Sequence, residues 1–276
     1  MGANTAAEGS GPGDTVRHHS ARLALADAGV DERDLADSHG VVSIGTTDGG
    51  SDDGEAVAAT AVRFGFGEVD PAAVRRIPAN RIAVGVAREL GLSDVDVTTL
   101  ATACAAGNYA IGNGFDAVRS GEADFALCGG ADAMCRMTFT GFYRLKAIDP
   151  QRCRPFDTRR KGILTGEGAA VLLLEPWDSA VARGARIYAE VLGYGLNCDA
   201  HHQVAPERGS VARCMSLALR DAGVTPGDVD LISAHGTGTR LNDVTECGAV
   251  FDVFGPRPPR IVSVESMLGH TMGAAV

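Results

Sequence analysis

Cys104 has surroundings that would make its sulfur a nucleophile. It follows an apolar segment, residues 96–103, and precedes a run of small residues that begins with Ala105-Ala106-Gly107. We predict a buried strand over 96–103 and a helix that begins at the cysteine. The unpaired N–H groups and the positive dipole end of a helix start stabilise a thiolate relative to a thiol. Free cysteine is also among the most buried residue types, so a structural role is the alternative.

Two histidines occupy similar positions at the ends of predicted strands. His235 follows the apolar segment 229–234 and begins the motif HGTGT, and His270 follows 260–263 within the motif GHTMGAA. Glycine lets a ligand or another backbone approach closely, and α/β proteins place their sites where strands open into loops. Either histidine alone is ordinarily structural. Together with a nucleophilic cysteine they indicate covalent catalysis.

Five motifs occur in the order found in β-ketoacyl-acyl-carrier-protein synthases. They are TACAAG at 102–107, PFD at 155–157, GEGA at 166–169, HGTGT with Asn242-Asp243, and GH at 269–270 with GAA at 273–275. The chain therefore resembles this family from about Ser20 to its last residue, and it is most similar to the bacterial elongating ketosynthases. The resemblance implies a catalytic triad of Cys104, His235 and His270.

The same resemblance assigns a reaction and a substrate channel. It implies acyl transfer to Cys104 and then decarboxylative condensation with a malonyl-type thioester, in fatty acid or polyketide biosynthesis. Thr237 and Thr239 resemble hydroxyls that line the pantetheine channel, and turn formation in a glycine-rich loop is their alternative role. An acyltransferase without condensation and a non-catalytic ketosynthase-like subunit are the alternative functions. A degradative thiolase is disfavoured because no cysteine follows Cys247.

A repeated segment predicts two related halves. LALADAGV at 23–30, then Asp34, an apolar strand and Gly45, matches LALRDAGV at 217–224, then Asp228, an apolar strand and Gly236. Both copies predict an amphipathic helix, a glycine stop, a turn and a buried strand. We expect a thiolase-like α/β fold of two duplicated halves, each with a mixed sheet between helices, as the resemblance also implies.

The expected domains are a flexible leader at 1–14, a first half at 15–170 and a second half at 171–276. Strand-like segments at 170–175 and 187–192 precede the second copy, whereas only the leader precedes the first. The first half is therefore expected to lack its opening strand, and the second its closing helix and strands. The resemblance places a glycine-rich oxyanion loop in that closing part. Losing one oxyanion donor typically costs about a hundredfold or more in rate.

One matched position reverses its charge relative to the family. The resembled enzymes usually have Lys five residues before the histidine of the Gly-His motif, where this chain has Glu265. A carboxylate that faces the two histidines should favour imidazolium and disfavour the Cys104 thiolate. A surface carboxylate paired with an arginine is the alternative. Glu265 is thus a candidate modulator of the site.

Composition limits the cofactors, the partners and the location. The chain is 45% hydrophobic and has no apolar run long enough to span a bilayer. Seven cysteines without a C-x-x-C pair or an export signal indicate reduced thiols in the cytoplasm and no zinc site, and only Cys104 is predicted to lie at a helix start. The net charge of −10 argues against nucleic acid as a partner. We expect no metal and no bound cofactor, because the resemblance places substrates on the phosphopantetheine of acyl carrier protein or on coenzyme A.

The resemblance also implies two kinds of protein partner. One is an acyl carrier protein, and the other is a second copy of the chain or a ketosynthase-like heterodimer partner. A basic cluster on this acidic chain could contact the carrier protein, and a solvated loop is the alternative. The cluster consists of Arg152, Arg154, Arg159, Arg160 and Lys161.

Overall fold

A four-stranded mixed sheet forms the centre of the molecule in the computed structural model, which describes residues 12–35, 38–202 and 204–275. The strand order is β2-β1-β3-β4. The strands are β1 (Gly40–Gly45), β2 (Val95–Leu100), β3 (Phe125–Asp132) and β4 (Gly168–Leu174). Strand β1 is parallel to β2 and β3, whereas β4 is antiparallel to β3. A second sheet pairs β5 (Leu231–Ser233) in parallel with β6 (Arg260–Val262).

Helices connect and cover these strands. Within the described ranges they are α1 (Pro12–Ala28), α2 (Ser51–Phe64), α3 (Pro71–Arg76), α4 (Arg81–Glu89), α5 (Ala106–Ser120), α6 (Arg136–Arg144), α7 (Trp177–Ala182), α8 (Arg208–Asp221), α9 (Arg240–Phe254) and α10 (Glu265–Leu268). Of the predicted flexible leader, residues 1–11 lie outside the described residues, and residues 12–14 form the start of α1. No helix in the described part of the chain has the length and apolarity to cross a membrane.

The core lies on both faces of the larger sheet. Alternate residues of a strand point to opposite faces, so Val42 and Ile44 of β1 pack on one side and Val41 packs on the other. On the first side the strands meet α1 and α4, through residues that include Leu25, Ile82, Val86 and Leu127. On the second side, Ala117 and Val118 of α5 cover the sheet. The sheet is therefore held between two helical layers, as expected.

The predicted repeat has the same local structure in both copies. Gly29 and Gly223 both have φ of +67° and end α1 and α8 respectively. The following residue donates to a carbonyl five positions back in each case, Val30 to Leu25 and Val224 to Leu219, both at 3.0 Å. A short 3-10 turn and a strand follow in each copy. These shared features confirm the duplicated α/β architecture.

Four strand predictions need correction. The segment 170–175 was expected to begin the second half, but β4 pairs with β3 of the first sheet and crosses the predicted 170/171 boundary. The segment 187–192 is not a strand, because no strand pairs with it in the described residues; the chain just after it lies along α8, where the Tyr194 amide donates to Asp221. Strands β2 and β5 were expected to be buried and are partly exposed. The reason is that β2 is an edge strand and β5 belongs to a two-stranded sheet.

Candidate active site

Cys104 lies in a tight turn between a strand and a helix. Strand β2 ends at Leu100, a 3-10 turn spans Ala103–Ala105, and α5 begins at Ala106. Ala103 has φ of +53°, a left-handed conformation that costs a residue with a side chain roughly 1–2 kcal/mol. The predicted helix start is confirmed, with the cysteine half-buried in the 3-10 turn that leads directly into α5.

Close packing against β1 holds this turn in place. A Cβ atom at Gly45 would lie 2.1 Å from the carbonyl carbon of Ala106. Only glycine therefore lets the end of β1 approach the first residue of α5. The sulfur of Cys104 is fixed relative to the central sheet by this contact.

A second 3-10 turn, which also begins with a left-handed residue, contacts the first. It spans Met272–Ala274, and Met272 has φ of +55°. Buried Asp132 at the end of β3 anchors it by accepting from the Gly273 amide at 2.6 Å. The same carboxylate accepts from the Thr46 hydroxyl and from the amides of Thr47 and Asp48, at 2.6–2.8 Å. Asp132 thus joins the loop after β1 to the second turn.

His270 is held rigidly just before this second turn. Its amide donates to the Leu164 carbonyl at 2.7 Å, and its carbonyl accepts from the Gly166 amide at 2.8 Å. Its Nδ1 atom accepts from the Met272 amide at 3.0 Å, so the proton of the neutral ring lies on Nε2. Burial, together with the nearby positive charge of His235, lowers the pKa of His270 to about 3. His270 is therefore a neutral N–H donor at physiological pH.

His235 is positioned by a carboxylate on α9. Glu246 accepts from the amides of His235 and Gly236, at 2.7 and 2.8 Å. Burial opposes a charge on the His235 ring, but the neighbouring Cys104 sulfur and Glu265 carboxylate outweigh that effect and raise the pKa of His235 to about 10. His235 is therefore an imidazolium at neutral pH.

The structure brings the three predicted catalytic residues together. The Cys104 sulfur and one ring nitrogen from each of His235 and His270 all lie within 4.8 Å of one another. The two rings are nearly perpendicular, at 82°, with centroids 5.2 Å apart. A thiol, a charged imidazole and a neutral imidazole thus share one small site.

Glu265 faces this site rather than solvent. It is 4% exposed, and neither carboxylate oxygen has a hydrogen-bond partner among the described residues. Its Oε1 atom lies 3.3 Å from Nδ1 of His235 and 4.0 Å from Nε2 of His270. Burial raises the pKa of Glu265, whereas the contact with His235 opposes that rise. The alternative of a surface carboxylate paired with an arginine does not describe this residue.

The cysteine and the two histidines are close enough to ligate a metal, but the hydrogen bonding of His270 is unsuited to it. A histidine ligand ordinarily donates its second ring N–H to an acceptor. Nδ1 of His270 instead accepts from the Met272 amide, so ligation through Nε2 would require an imidazolate or the loss of that bond. The site therefore favours acid–base and nucleophilic chemistry.

Thr237 and Thr239 lie in the loop that carries His235. Their hydroxyl oxygens are 2.9 Å apart, and the Thr239 hydroxyl accepts from the Asn242 amide as the N-cap of α9. These contacts agree with the turn-forming role. A further role in a pantetheine channel stays a prediction.

The predicted basic cluster is divided between the interior and the surface. Arg154 pairs with buried Asp149, and Arg160 lies 3.5 Å from Asp243 and donates to the Thr239 carbonyl. These two arginines hold loops together. The members exposed to solvent are Arg152, Arg159 and Lys161.

Several residues that support the site were not predicted from the sequence. Asp132 and Glu246 each anchor a site loop through backbone amides, yet a lone carboxylate after a strand or within a helix gives no local signal of such a role. Cys135 is the N-cap of α6, so the prediction that only Cys104 lies at a helix start is wrong. Burial raises the pKa of Cys135, which makes it a weak competitor as a nucleophile.

A thiol on a strand-to-helix turn with two imidazoles in reach is suited to covalent nucleophilic catalysis, here on a duplicated α/β scaffold. The sequence matches the family models for the Beta-ketoacyl synthase, N-terminal domain, over residues 15–180 and for the Beta-ketoacyl synthase, C-terminal domain, over residues 188–276. The chain belongs to the β-ketoacyl synthase family.

Individual relatives agree with this assignment. The 3-oxoacyl-[acyl-carrier-protein] synthase 2 of Staphylococcus aureus (strain N315) is 37% identical over 265 residues, which cover 92% of this chain. The chain spans 64% of the length of that relative. The solved ishigamide ketosynthase/chain length factor is 52% identical with a TM-score of 0.95, covering 98% of this chain and 68% of that one.

A second similar structure contains a carrier protein. It is a type II PKS acyl-carrier protein in complex with its ketosynthase (AntDE:AntF), which is 29% identical with a TM-score of 0.88 and covers 95% of this chain and 68% of that chain. These structural similarities confirm the expected thiolase-like fold.

Proposed function

We propose that this chain carries the reacting groups of a β-ketoacyl synthase, which transfers an acyl group to Cys104 and condenses it with a malonyl-type thioester. The observation that supports this most directly is the convergence of Cys104, His235 and His270 within 4.8 Å. The family assignment supports the reaction class, and the geometry supports a part for each residue in it.

In the acylation step, the sulfur of Cys104 attacks the carbonyl carbon of an acyl thioester. The Cys104 amide, at the start of α5, donates to the developing oxyanion. The bond from that carbon to the leaving sulfur then breaks, and the acyl group remains on Cys104. Because α5 and β1 fix the turn, the nucleophile needs little reorganisation to react.

In the condensation step, the malonyl-type thioester loses carbon dioxide and forms an enolate. Hydrogen-bond donors placed at the thioester carbonyl oxygen stabilise that charge. The Nε2–H of His270 is one such donor, because the Met272 amide donates to Nδ1 and so fixes the tautomer that carries its proton on Nε2. The enolate carbon then attacks the acyl carbon and releases the Cys104 thiolate.

The proposal includes partners and a location. Substrates arrive on the phosphopantetheine of an acyl carrier protein or on coenzyme A, with Thr237 and Thr239 beside the incoming arm, and no metal takes part. Similarity to the solved complex of an acyl-carrier protein with its ketosynthase, and to the solved ketosynthase/chain length factor, supports a carrier protein and a ketosynthase-like or identical second subunit. The exposed edge strand β2, beside Cys104, supports pairing with that subunit. The reaction belongs to the cytoplasm, where acyl carrier proteins are used.

Mass spectrometry after mixing the chain with acyl and malonyl thioesters tests this function. We expect acylation of Cys104 followed by release of a β-ketoacyl product, with both lost in Cys104→Ala and both retained in Cys198→Ala, which alters an exposed cysteine. Acylation without condensation would replace the proposal with the acyltransferase alternative. The absence of both steps in the wild-type chain would favour the non-catalytic subunit.

A further inference from the structure

Glu265 is the one buried carboxylate in the site whose oxygens lack hydrogen-bond partners among the described residues. A buried charge of this kind is costly unless a nearby opposite charge stabilises it. The nearest group that can carry one is the His235 ring, whose Nδ1 lies 3.3 Å from Glu265 Oε1. The two residues therefore stabilise each other as carboxylate and imidazolium.

The ring of His235 has two nitrogens with different neighbours. Nδ1 faces Glu265, which leaves Nε2 for the sulfur of Cys104. A proton held on Nδ1 by the carboxylate makes Nε2 the nitrogen that exchanges a proton with the thiol. His270 cannot do this, because the Met272 amide keeps its Nδ1 as an acceptor.

We propose that Glu265, His235 and Cys104 form a carboxylate–imidazole–thiol line in which Glu265 is a positioning residue that keeps His235 protonated beside the sulfur. This inference rests on the proposed function and deepens it, because it divides the work of the two histidines. His235 exchanges a proton with the thiol in acylation. His270 donates a hydrogen bond to the carbonyl oxygen of the malonyl-type thioester in condensation. The effect on the thiolate has the opposite sign to the one expected from the sequence alone, because the charge of Glu265 acts through the imidazolium between them.

In acylation, the bonds and the proton are accounted for by these three groups and the substrate. The Cys104 thiolate forms a bond to the acyl carbon, and the bond from that carbon to the leaving sulfur breaks. The leaving thiolate takes the Nε2 proton of His235. His235 is then neutral, with its remaining proton on Nδ1 toward Glu265.

Other charged and titratable groups face the same region. From α9, Glu246 accepts from two loop amides and Asp243 lies 3.5 Å from Arg160. Cys153 lies in the loop before β4. Burial raises the pKa of its thiol to about 11, and the negative charge of Glu265 contributes to that rise. Glu265 differs from Asp243 and Glu246 in that it contacts a ring nitrogen rather than backbone amides.

The pH dependence of Cys104 alkylation by iodoacetamide, read by peptide mapping, tests the proposal without any thioester. In Glu265→Gln, which keeps the shape and removes the charge, we expect labelling at pH 7 to slow by about tenfold and the half-maximal pH to rise by about one unit. Glu265→Lys should shift the profile further in the same direction. Glu122→Gln removes the charge of an exposed carboxylate just beyond the end of α5 that is remote from Cys104, and it should leave the half-maximal pH within about 0.3 units.

An unchanged profile in Glu265→Gln, or a shift to lower pH, would overturn the proposal. Ring-nitrogen NMR of the wild-type chain gives a second test that does not depend on a variant. We expect His235 to be doubly protonated at pH 8, and a neutral His235 there would refute the line even if the variants fail to fold. Neither readout uses condensation, so a failure of the proposed enzymatic function would leave both results interpretable.

Discussion

The substitution Asp132→Asn should destabilise the fold because of how the carboxylate is bonded. Its Oδ1 accepts from the Thr46 hydroxyl and the Asp48 amide, and its Oδ2 accepts from the amides of Thr47 and Gly273. An asparagine keeps one acceptor oxygen and puts an NH₂ group in place of the other. Two of the four donors would then face a donor at a site that is 4% exposed.

The magnitude follows from those two lost bonds. A buried donor left without an acceptor costs about 1–3 kcal/mol, so the variant should lose about 2–6 kcal/mol of unfolding free energy. Urea unfolding followed by circular dichroism measures this loss. With a urea dependence of about 3 kcal/mol per molar, the midpoint should fall by about 1–2 M.

Asp124→Asn is the matched control, since Asp124 immediately precedes the same strand. It is exposed and accepts one backbone hydrogen bond, from the His39 amide at 3.1 Å, which an asparagine oxygen can also accept. We expect a change within about 0.5 kcal/mol. If Asp132→Asn shifts the midpoint no more than this control, Asp132 does not join the two loops energetically and the reasoning fails.

Three further predictions follow from the site. Limited iodoacetamide labelling should modify Cys104 first, because burial raises the pKa values of Cys128 and Cys153 to about 12 and about 11, and faster labelling of exposed Cys198 or Cys247 would contradict this. Gly45→Ala should lower the free energy of unfolding by about 1–3 kcal/mol or more, because the new methyl group clashes with the start of α5. Gly67→Ala, which places its methyl group in open space, should be tolerated, and equal losses in the two variants would contradict the packing argument. Imidazole NMR should show His235 losing its proton near pH 10 and His270 remaining neutral down to about pH 4, and titration of both rings near pH 6.5 would refute the assignment. The stability that protonated His235 contributes should then be fully present below about pH 6.5 and disappear as the pH approaches 10. Below about pH 6.5, His270 takes up a proton only in the unfolded chain, which lowers the stability of the fold.

Local sequence signals predicted the features that depend on local geometry. The glycine stops at Gly29 and Gly223 were predicted because a left-handed residue after a helix is a property of a few adjacent residues. The turn that carries Cys104 was predicted for the same reason. The convergence of Cys104, His235 and His270 depends on the tertiary fold, and it was predicted because motifs in a fixed order imply the fold that unites them.

Features set by partners distant in sequence were predicted less well. The apolar residues of β2 and β5 suggested burial, but burial depends on whether another strand or helix covers them. Strand β4 was assigned to the second half because its pairing with β3 cannot be deduced from its own composition. The orientation of Glu265 was left open for the same reason, since a single carboxylate on a short helix has no periodicity that shows which way it points.

The duplicated turns show why function could not be deduced from the repeat itself. Ala103 and Met272 have nearly the same positive φ, so the chain offers two equivalent positions immediately after them, Cys104 and Gly273. Gly273 is confined to glycine, because a Cβ there would lie 2.8 Å from both Asp132 Oδ2 and the Thr46 Cα. The second turn is therefore packed tightly against the sheet, and it contributes the rigid loop that holds His270, while the first turn has room for a sulfur. The turn is duplicated, but only the first copy carries a nucleophile, because only one of the two positions can accommodate a side chain.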